Sequence, residues 1–316
     1  MNEDLKYLID YRNGKVIKGL GIGNYLDDHL LFKRSQLNII LGHDNVGKSY
    51  MINWYFLNLA LRHKLKFVMY SGENRKAYIL RDMIQMYAGM KFNDLPENKI
   101  VEYYKIIEEF FVFVPNNKLY KPIDLLNIFK YSGCDAALID PFTALDRDMT
   151  YTGNYEFLNM AREFVNQTGM SIYINTHPTS ESGRMGNLYA QGHEWAGHIK
   201  APLKDHIEGG KAFLNRCDDM LVVHRLVKHE QMKYYTMINV DKIKDINTGG
   251  MHTNLDQPVL CEFNNGLGFK INGKDSLSEF RPKMIISNSF PVPIEIDGLR
   301  NTSDKLKKLN ESYDRK

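Results

Sequence analysis

The segment between Gly42 and Ser49 carries the strongest chemical signal in this sequence, because it reads G-x-x-x-x-G-K-S without departure. Two glycines let the backbone fold into a nest whose N–H groups point at phosphate oxygens, and the following helix adds its N-terminal partial positive charge. The Lys48 side chain can reach β- and γ-phosphates, and the Ser49 hydroxyl can ligate Mg²⁺. The segment therefore predicts a site for a nucleoside triphosphate and Mg²⁺, with nucleotide contacts at Gly42, His43, Asp44, Asn45, Val46, Gly47, Lys48, Ser49 and Tyr50.

Asp140 is the candidate second ligand of the metal. It ends the hydrophobic run Ala136–Ile139, which predicts a buried strand whose carboxyl end lies at the same sheet edge as the phosphate-binding loop. A carboxylate at that edge can hold the water shell of a bound Mg²⁺. The alternative is a purely structural role, in which Asp140 caps the end of the strand. Because the phosphate-binding loop is present, we favour the metal-binding role.

Two more polar residues follow predicted strands, and with Lys48 they are the candidate catalytic groups. Glu73 comes just after KFVMYSG, so its carboxylate could face the γ-phosphate as a general base. His177 comes just after SIYINT, where an imidazole could sense the γ-phosphate and move the loop that follows. On pattern alone, Glu73 is a solvated loop residue and His177 a surface histidine held by Pro178.

Short apolar runs that alternate with helical segments predict the elements that must position these groups. Such alternation implies crossover connections and a mostly parallel sheet covered by helices on both faces, an α/β fold. The predicted strands are Leu37–Leu41, Lys66–Tyr70, Phe111–Val114, Ala136–Ile139 and Ser171–Asn175. The predicted helices are Ser49–Arg62, Arg75–Tyr87, Asn98–Glu109, Pro122–Tyr131 and Tyr155–Val165.

The pattern changes after Asn175. Residues 178–210 show no clear period, which is long for a connection within a compact domain and indicates a functional or disordered segment. Three later strands joined by short links predict an antiparallel extension of the sheet: Met220–His224, Tyr234–Val240 and Val259–Phe263.

The ends of the chain complete the predicted organisation into an arm over 1–17, an ATPase domain over 18–275 and a tail over 276–316 whose last 16 residues are expected to be mobile. Leu5, Leu8 and Ile9 fall at i, i+3 and i+4, which predicts a short amphipathic helix over residues 3–12. This helix either packs on its own domain or docks on a neighbouring subunit. The sequence leaves both readings open.

Composition excludes several classes of protein. Lys and Arg number 41 and Asp and Glu 38, a net charge of +3, so the chain is not a globally basic nucleic-acid coat. No apolar run reaches the length of a membrane span, and the acidic start MNEDLKYLID lacks the apolar core of a signal peptide. The three cysteines are widely spaced, which is typical of a reducing compartment. We therefore expect a cytoplasmic protein without membrane contact.

The order of these motifs resembles the RecA-like ATPase domain of hexameric replicative helicases, the DnaB and Twinkle group. The resemblance runs from about Lys18 to Lys270 and rests on NIILGHDNVGKS, YSGENRKAYILRDMI, LIDPFTAL and YINTHPTSE. It implies a P-loop ATPase that unwinds DNA during replication in a bacterial or phage-infected cell. Glu73 would activate water, Asp140 would serve as the Walker B carboxylate, and His177 would sense the γ-phosphate.

The family also places a K-x-R motif after a late strand, where it reaches the ATP of the neighbouring subunit. The matching segment is Val240–Asp245, in which Lys242 fits the first position and Lys244 stands where arginine is expected. Lysine keeps the charge but lacks the planar fork that clamps phosphate oxygens. Either Lys244 serves as the trans-acting cation, or Arg216 or Arg225 acts instead.

In this family two loops bind single-stranded DNA inside a hexameric ring, and a primase or loader can act in trans. The matching segments are Thr179–His206 and Ile243–Gly250. Tyr189 and Trp195 are interleaved with the cations of the first loop, a composition that suits binding of single strands. The residues that this resemblance assigns to DNA are Arg184, Lys200, Lys204 and Lys244.

Two other functions are compatible with the same motifs. A recombination ATPase of the RecA or RadA type shares the P-loop, the glutamate and the sheet, but usually carries an additional DNA-binding or polymerisation element. An ATP-binding loader or assembly protein would use the nucleotide only to set its conformation, and the missing finger arginine is the one feature that favours it.

Overall fold

The computed structural model describes residues 2–16, 18–148, 150–183, 187–254 and 256–283. The elements within these ranges belong to one compact unit that ends at Arg281. The predicted mobility of the C-terminal tail concerns residues that lie outside the described ranges.

Nine strands form a single sheet in the described part of the chain, in the order β3-β2-β4-β5-β1-β6-β7-β8-β9. The first six of that order run parallel to their neighbours, and the last three are joined antiparallel. The strands are β1 Leu37–Leu41, β2 Phe67–Ser71, β3 Phe111–Phe113, β4 Ala136–Asp140, β5 Ser171–Thr176, β6 Asp219–His224, β7 Tyr235–Lys242, β8 Val259–Phe263 and β9 Phe269–Lys270. The predicted parallel sheet with an antiparallel C-terminal extension is therefore confirmed.

The described helices are α1 Glu3–Arg12, α2 Lys48–His63, α3 Lys76–Ala88, α4 Glu97–Glu108, α5 Pro122–Lys130, α6 Tyr151–Thr168, α7 Ala212–Arg216 and α8 Ile246–Gly249. Helices α2 to α7 lie in the connections between the parallel strands, whereas α1 precedes β1 and α8 lies between β7 and β8. The described residues 3–12 form the helix expected there, and its apolar side chains Leu5, Tyr7, Leu8, Ile9 and Tyr11 are 40–61% exposed.

Successive strand residues point to opposite sides of the sheet, and each apolar side is covered by helices. Alternate β1 residues, such as Ile39, pack into a core that includes Phe129 of α5 and Phe157 of α6. On the other face Phe56 of α2 stacks on Phe67, with ring centroids 4.2 Å apart. Helix α2 is consequently buried along most of its length, which holds its N-terminus rigidly at the end of β1.

The register of the parallel strands brings their carboxyl ends to one edge. Leu41 at the end of β1 pairs with Thr176 at the end of β5, and Ser71 at the end of β2 pairs with Asp140 at the end of β4. Strand β4 runs one residue further than predicted, so Asp140 is its last residue. Polar residues that end or follow these strands are thus placed side by side.

The segment from 178 to 210, predicted without regular structure, is compact in its described part. Trp195 is 9% exposed and packs with Leu226 and Met237 in a small cluster of its own. Two isolated bridges, Pro178 with Ile207 and Leu188 with Ile199, tie the segment together. Within the described residues, no helix is long and apolar enough to cross a bilayer.

Candidate nucleotide-binding site

The loop between β1 and α2 is folded as a nest of backbone N–H groups, the geometry expected of a phosphate-binding loop. Asn45 and Gly47 adopt the left-handed region with φ of 58° and 93°, which turns successive N–H groups toward the mouth of the loop. A Cβ at Gly42 would lie 2.3 Å from the carbonyl oxygen of Val223, so only glycine fits where the loop passes β6. The loop leads into α2 at Lys48, whose N-terminus adds positive partial charge.

Lys48 is directed back over this loop. Its ammonium donates hydrogen bonds to the carbonyl oxygens of Gly42 at 2.7 Å and His43 at 2.8 Å. The side chain is 7% exposed, and burial lowers the pKa of its ammonium while the carboxylates of Asp44, Asp140 and Glu73 oppose that shift. Lys48 is therefore placed where a β- or γ-phosphate would replace the loop carbonyls as its partner.

Asp140 lies buried beside the first turn of α2. Its carboxylate accepts a hydrogen bond from Nδ2 of Asn175 at 2.7 Å and is hydrogen-bonded to the Ser49 hydroxyl. Burial raises the pKa of Asp140, and these hydrogen bonds and the Lys48 charge oppose the shift. A bound cation would favour the ionised carboxylate.

Ser49 and Asp140 are two residues at this edge that could hold Mg²⁺. The Ser49 hydroxyl and the Asp140 carboxylate supply hard oxygen ligands, which Mg²⁺ prefers. No group of three or more His, Cys, Asp or Glu side chains among the described residues could hold a metal ion by itself. The site therefore suits a metal that arrives with phosphate oxygens and water rather than one held by a protein cage.

Glu73 is exposed and follows β2 directly. The N–H of Gly72 donates to the carbonyl of Asp140 at 2.8 Å, and a Cβ at Gly72 would lie 2.2 Å from the Cβ of Ala144. Glycine at 72 thus lets the chain turn sharply past the end of β4. That turn brings the Glu73 carboxylate into the wall of the phosphate cavity.

His177 follows β5 and meets the phosphate loop. Its Nδ1 lies 2.7 Å from the carboxylate of Asp44 and 3.4 Å from Nζ of Lys48. The carbonyl oxygen of His177 accepts a hydrogen bond from the N–H of Glu208, at the far end of the long segment. The backbone of His177 is therefore hydrogen-bonded to the other end of that segment.

One cavity of about 660 Å³ joins these groups. Of the residues predicted for nucleotide, metal and catalysis, those in its wall are Asp44, Asn45, Gly47, Lys48, Ser49, Tyr50, Glu73, Asp140 and His177. Gly42, His43 and Val46 are outside this wall. The loop approaches β6 at Gly42, His43 points away toward Ser182, and Val46 faces a separate cavity of about 450 Å³.

His43 and His224 form an edge-to-face pair behind the phosphate loop, with ring centroids 5.9 Å apart. His224 is 3% exposed, and its Nε2 lies 3.0 Å from the carbonyl oxygen of Ile199. Burial, together with the neighbouring His43, lowers the pKa of His224 to about 4, although the hydrogen bond to the Ile199 carbonyl opposes the shift. The pair thus stays uncharged at neutral pH.

We expect this pair to make folding acid-sensitive. Between the usual pKa of 6.5 and the folded value of about 4, the unfolded chain binds the proton and the folded chain excludes it, so the free energy of unfolding falls as the pH falls. The His224 contribution is about 3 kcal/mol across this window. Urea denaturation at pH 7.5 and pH 4.5 should show a smaller loss of stability for His224→Gln than for the wild type. The exposed His193→Gln should behave as the wild type, and equal pH slopes for all three proteins would contradict the assignment.

Of the predicted trans-acting cations, Lys242, Lys244 and Arg216 occupy the opposite edge of the sheet. Lys242 pairs with Met220 at the start of β6, whereas the phosphate loop follows the carboxyl end of β1. Lys242 donates to the carbonyl oxygens of Leu214 at 2.5 Å and Cys217 at 2.7 Å. Its ammonium is therefore already engaged within the protomer.

Lys244 and Arg216 share one cavity of about 350 Å³, whose wall also contains Arg162 and Lys242. The Lys244 ammonium lies 2.9 Å from the buried carboxylate of Asp218, and its side chain is 63% exposed. The Arg216 guanidinium lies over the ring of Tyr155, 4.6 Å from its centroid, and donates to the Tyr155 hydroxyl. Arg225 is elsewhere, because it donates to the carbonyl of Asn45 in its own phosphate loop at 2.9 Å.

The predicted DNA-binding residues are placed differently from one another. Lys200 and Lys204 are exposed, and Lys200 lies 5.8 Å from the ring centroid of Tyr189. Arg184 lies outside the described residues. Trp195, expected to offer an open ring to DNA, is packed instead against Leu226 and Met237.

Sequence reasoning gave no role to Asn175 or to several residues of the cavity wall. Asn175 orients the Asp140 carboxylate, and its place at the end of a predicted strand beside His177 was an available signal. The wall residues Asn74, Tyr78, Ile79, Asp82 and Pro141 lie within the segments YSGENRKAYILRDMI and LIDPFTAL, and Asn53 lies on α2, but the motifs gave none of them a role. They reach the cavity only through the packing of α3 and the end of β4 against α2.

Comparison with solved structures identifies the fold. The chain resembles a structure solved as an ATPase domain, with a TM-score of 0.64 and 12% identity, over 84% of this chain and 96% of that one. It also resembles a DnaB-like replicative helicase studied with its primase interactions, with a TM-score of 0.64 and 11% identity, over 85% of this chain and 68% of that one. The chain has a DnaB-type helicase fold. No family profile and no curated protein sequence matches the chain.

Proposed function

We propose that this protein is an ATP-dependent DNA helicase of the replicative type. The observation that supports it is the single cavity that joins Lys48, Ser49, Glu73, Asp140 and His177 on a DnaB-type fold. These groups come from the ends of β1, β2, β4 and β5, which a parallel sheet brings to one edge. Together they comprise a phosphate clamp, a metal-binding pair, a base and a sensor.

In this proposal each residue has a distinct part in hydrolysis. Lys48 leaves the loop carbonyls and binds the β- and γ-phosphates, and Glu73 accepts a proton from the attacking water. Mg²⁺ held by Ser49 and Asp140 would offset the charge that develops on the phosphates. His177 breaks its contact with the Asp44 carboxylate and binds the γ-phosphate instead. The segment that follows His177 shifts with it.

A second copy of the chain completes this site. Lys48 is the one Lys or Arg among the described residues of the cavity wall, although a triphosphate carries several negative charges. The surplus cations lie at the opposite edge of the sheet, around Arg216 and Lys244. A ring that sets this edge against the neighbour's phosphate cavity would supply them. The exposed apolar side chains of α1 favour docking of that helix on a neighbouring subunit over packing on its own domain.

We expect Arg216 to be the principal trans-acting cation, because it supplies the planar guanidinium that Lys244 lacks. Arg216→Ala should lower turnover about 10² to 10³-fold, and Lys244→Ala should lower it less. Mixing Arg216→Ala with Lys48→Ala subunits should restore part of the activity, since one provides the intact phosphate site and the other the intact cation. The exposed Arg34→Ala is the control, and failure of the mixture to recover any turnover would contradict action across a subunit interface.

DNA is proposed to contact Arg184, Lys200 and Lys204 from the first predicted loop and Lys244 from the second. Binding by cations alone, with Trp195 buried, would be sequence-tolerant and strongly salt-dependent. A primase acting in trans is proposed because one of the similar helicases is described with its primase interactions.

ATP turnover measured with and without single-stranded DNA tests the proposal, paired with mass photometry in ATP. A replicative helicase should be stimulated by DNA and should assemble into closed rings, with a hexamer expected. Filaments on DNA in electron micrographs would indicate a recombination ATPase instead. Turnover that DNA leaves unchanged would indicate an assembly protein and would contradict the helicase proposal.

A further inference from the structure

The cavity of the phosphate site has a second half that the phosphate chemistry does not use. Beyond Lys48, Ser49 and the catalytic groups, its wall continues along α2 and α3 through Tyr50, Asn53, Tyr78, Ile79 and Asp82. A triphosphate seated at the N-terminus of α2 fills the first half. Whatever is attached to that triphosphate must lie in the second.

Asn53 is the first sign that this half receives a ligand. The residue is 5% exposed, its Oδ1 has no hydrogen-bond partner, and no described residue bonds its side chain. A buried amide without hydrogen-bond partners is unfavourable unless a ligand supplies them. Asn53 lies one turn after Ser49 on the same face of α2, so its side chain lies next to the phosphate end of the cavity.

Tyr78 and Asp82 are the second sign, and they lie one turn apart on α3. The Tyr78 ring is 51% exposed although it forms part of a cavity wall, and it is flanked there by the apolar Ile79. Arg81 donates to Oδ1 of Asp82 from both Nε and Nη2, which leaves Oδ2 without a partner among the described residues. A half-exposed tyrosine ring with the Arg81 guanidinium 5.7 Å from its centroid, a carboxylate oxygen without a described partner and the buried Asn53 amide thus belong to one cavity wall.

We infer that this surface, formed by Asn53, Tyr78 and Asp82, is the nucleoside-recognition wall of the site. The inference rests on the proposed function, because it takes a nucleoside triphosphate as the ligand. The base stacks on Tyr78, and Asn53 and Asp82 bind polar groups of the nucleoside. The Asp82 carboxylate only accepts hydrogen bonds, so its partner is an O–H or N–H donor, either a ribose hydroxyl or the amino group of the base.

Comparing ATP with inorganic tripolyphosphate isolates the wall, because tripolyphosphate engages only the phosphate half. Calorimetry should show that Tyr78→Ala weakens ATP binding about tenfold, as expected for loss of one base-stacking contact, and leaves tripolyphosphate binding unchanged. Tyr131→Ala, an exposed tyrosine that follows α5, is the matched control and should change neither. Equal weakening of both ligands, or of neither, would overturn the inference.

The Asp82→Ala variant distinguishes a ribose hydroxyl from a base amino group as the hydrogen-bond donor to Asp82. The variant should lower the ratio of ATP affinity to tripolyphosphate affinity several-fold, and this ratio cancels the general effect of removing a negative charge. If the loss disappears with 2′,3′-dideoxy-ATP, Asp82 binds the ribose, and if it disappears with purine riboside triphosphate, Asp82 binds the base amino group. Either result supports the wall, whereas no change in the ratio for ATP would overturn the role of Asp82. Failure of the wild type to bind both ATP and tripolyphosphate would instead refute the proposed function.

Discussion

Replacement of Lys48 by alanine is expected to abolish ATP hydrolysis and DNA unwinding together. The buried Lys48 ammonium is the one Lys or Arg group in the described wall of the cavity, and it now satisfies the carbonyls of Gly42 and His43. Preorganised donors of this kind lower a barrier by about 3–4 kcal/mol each, so turnover should fall at least 10²–10³-fold. Binding of ATP should weaken as well, because the same ammonium meets the phosphates in the ground state.

Turnover, filter binding of ATP and strand displacement measured on one preparation would check this result. Thermal unfolding must accompany them, since removal of a buried charge from the P-loop changes stability too. Lys105→Ala, a lysine in the last turn of α4, is the matched control and should leave all three activities unchanged. Unwinding that persists in Lys48→Ala would contradict the motor proposal.

Replacement of Glu73 by glutamine is expected to separate nucleotide binding from hydrolysis. The side chain is exposed in the cavity wall and makes no contribution to the loop that holds the phosphates, so ATP should still bind with near-normal affinity. The amide cannot accept a proton from water, and loss of a general base lowers turnover about 10²–10⁴-fold. The variant should therefore accumulate the ATP-bound, DNA-bound protein.

Single-turnover hydrolysis and equilibrium binding of ATP, compared side by side, test this separation. Glu97→Gln at the start of α4 changes the same charge away from the site and should hydrolyse ATP normally. If Glu73→Gln hydrolyses ATP at the wild-type rate, another group activates water, and Glu73 is the solvated loop residue of the alternative reading.

Much of the fold could be predicted because the decisive patterns are local. The runs of buried residues in β1 and β4 and the G-x-x-x-x-G-K-S spacing each act within a few residues, through strand burial, glycine φ angles and the helix N-terminus. Parallel pairing then places Asp140 and His177 at one edge without further information. The α/β architecture and the neighbourhood of the nucleotide site therefore follow from short-range physics.

Side-chain environments were harder to predict. Trp195 has the sequence context of an exposed loop residue, yet packing on Leu226 and Met237 buries it. The sheet edge that each of Arg216, Arg225 and Lys244 reaches could likewise not be predicted from the sequence. Arg225 follows β6 at the phosphate edge, whereas Arg216 precedes β6 and lies at the other edge.

Local patterns were enough to predict the G-x-x-x-x-G-K-S loop, the strand ends at or after which Asp140, Glu73 and His177 lie, and the mostly parallel sheet. They could not predict that α3 brings Tyr78 and Asp82 into one cavity wall with Asn53, or that Arg216 and Lys244 share a cavity at the opposite edge. The difference arises from separation along the chain. Backbone propensities and hydrophobic periodicity act over a few residues, whereas contacts between side chains far apart in sequence are set by how whole helices pack on the sheet.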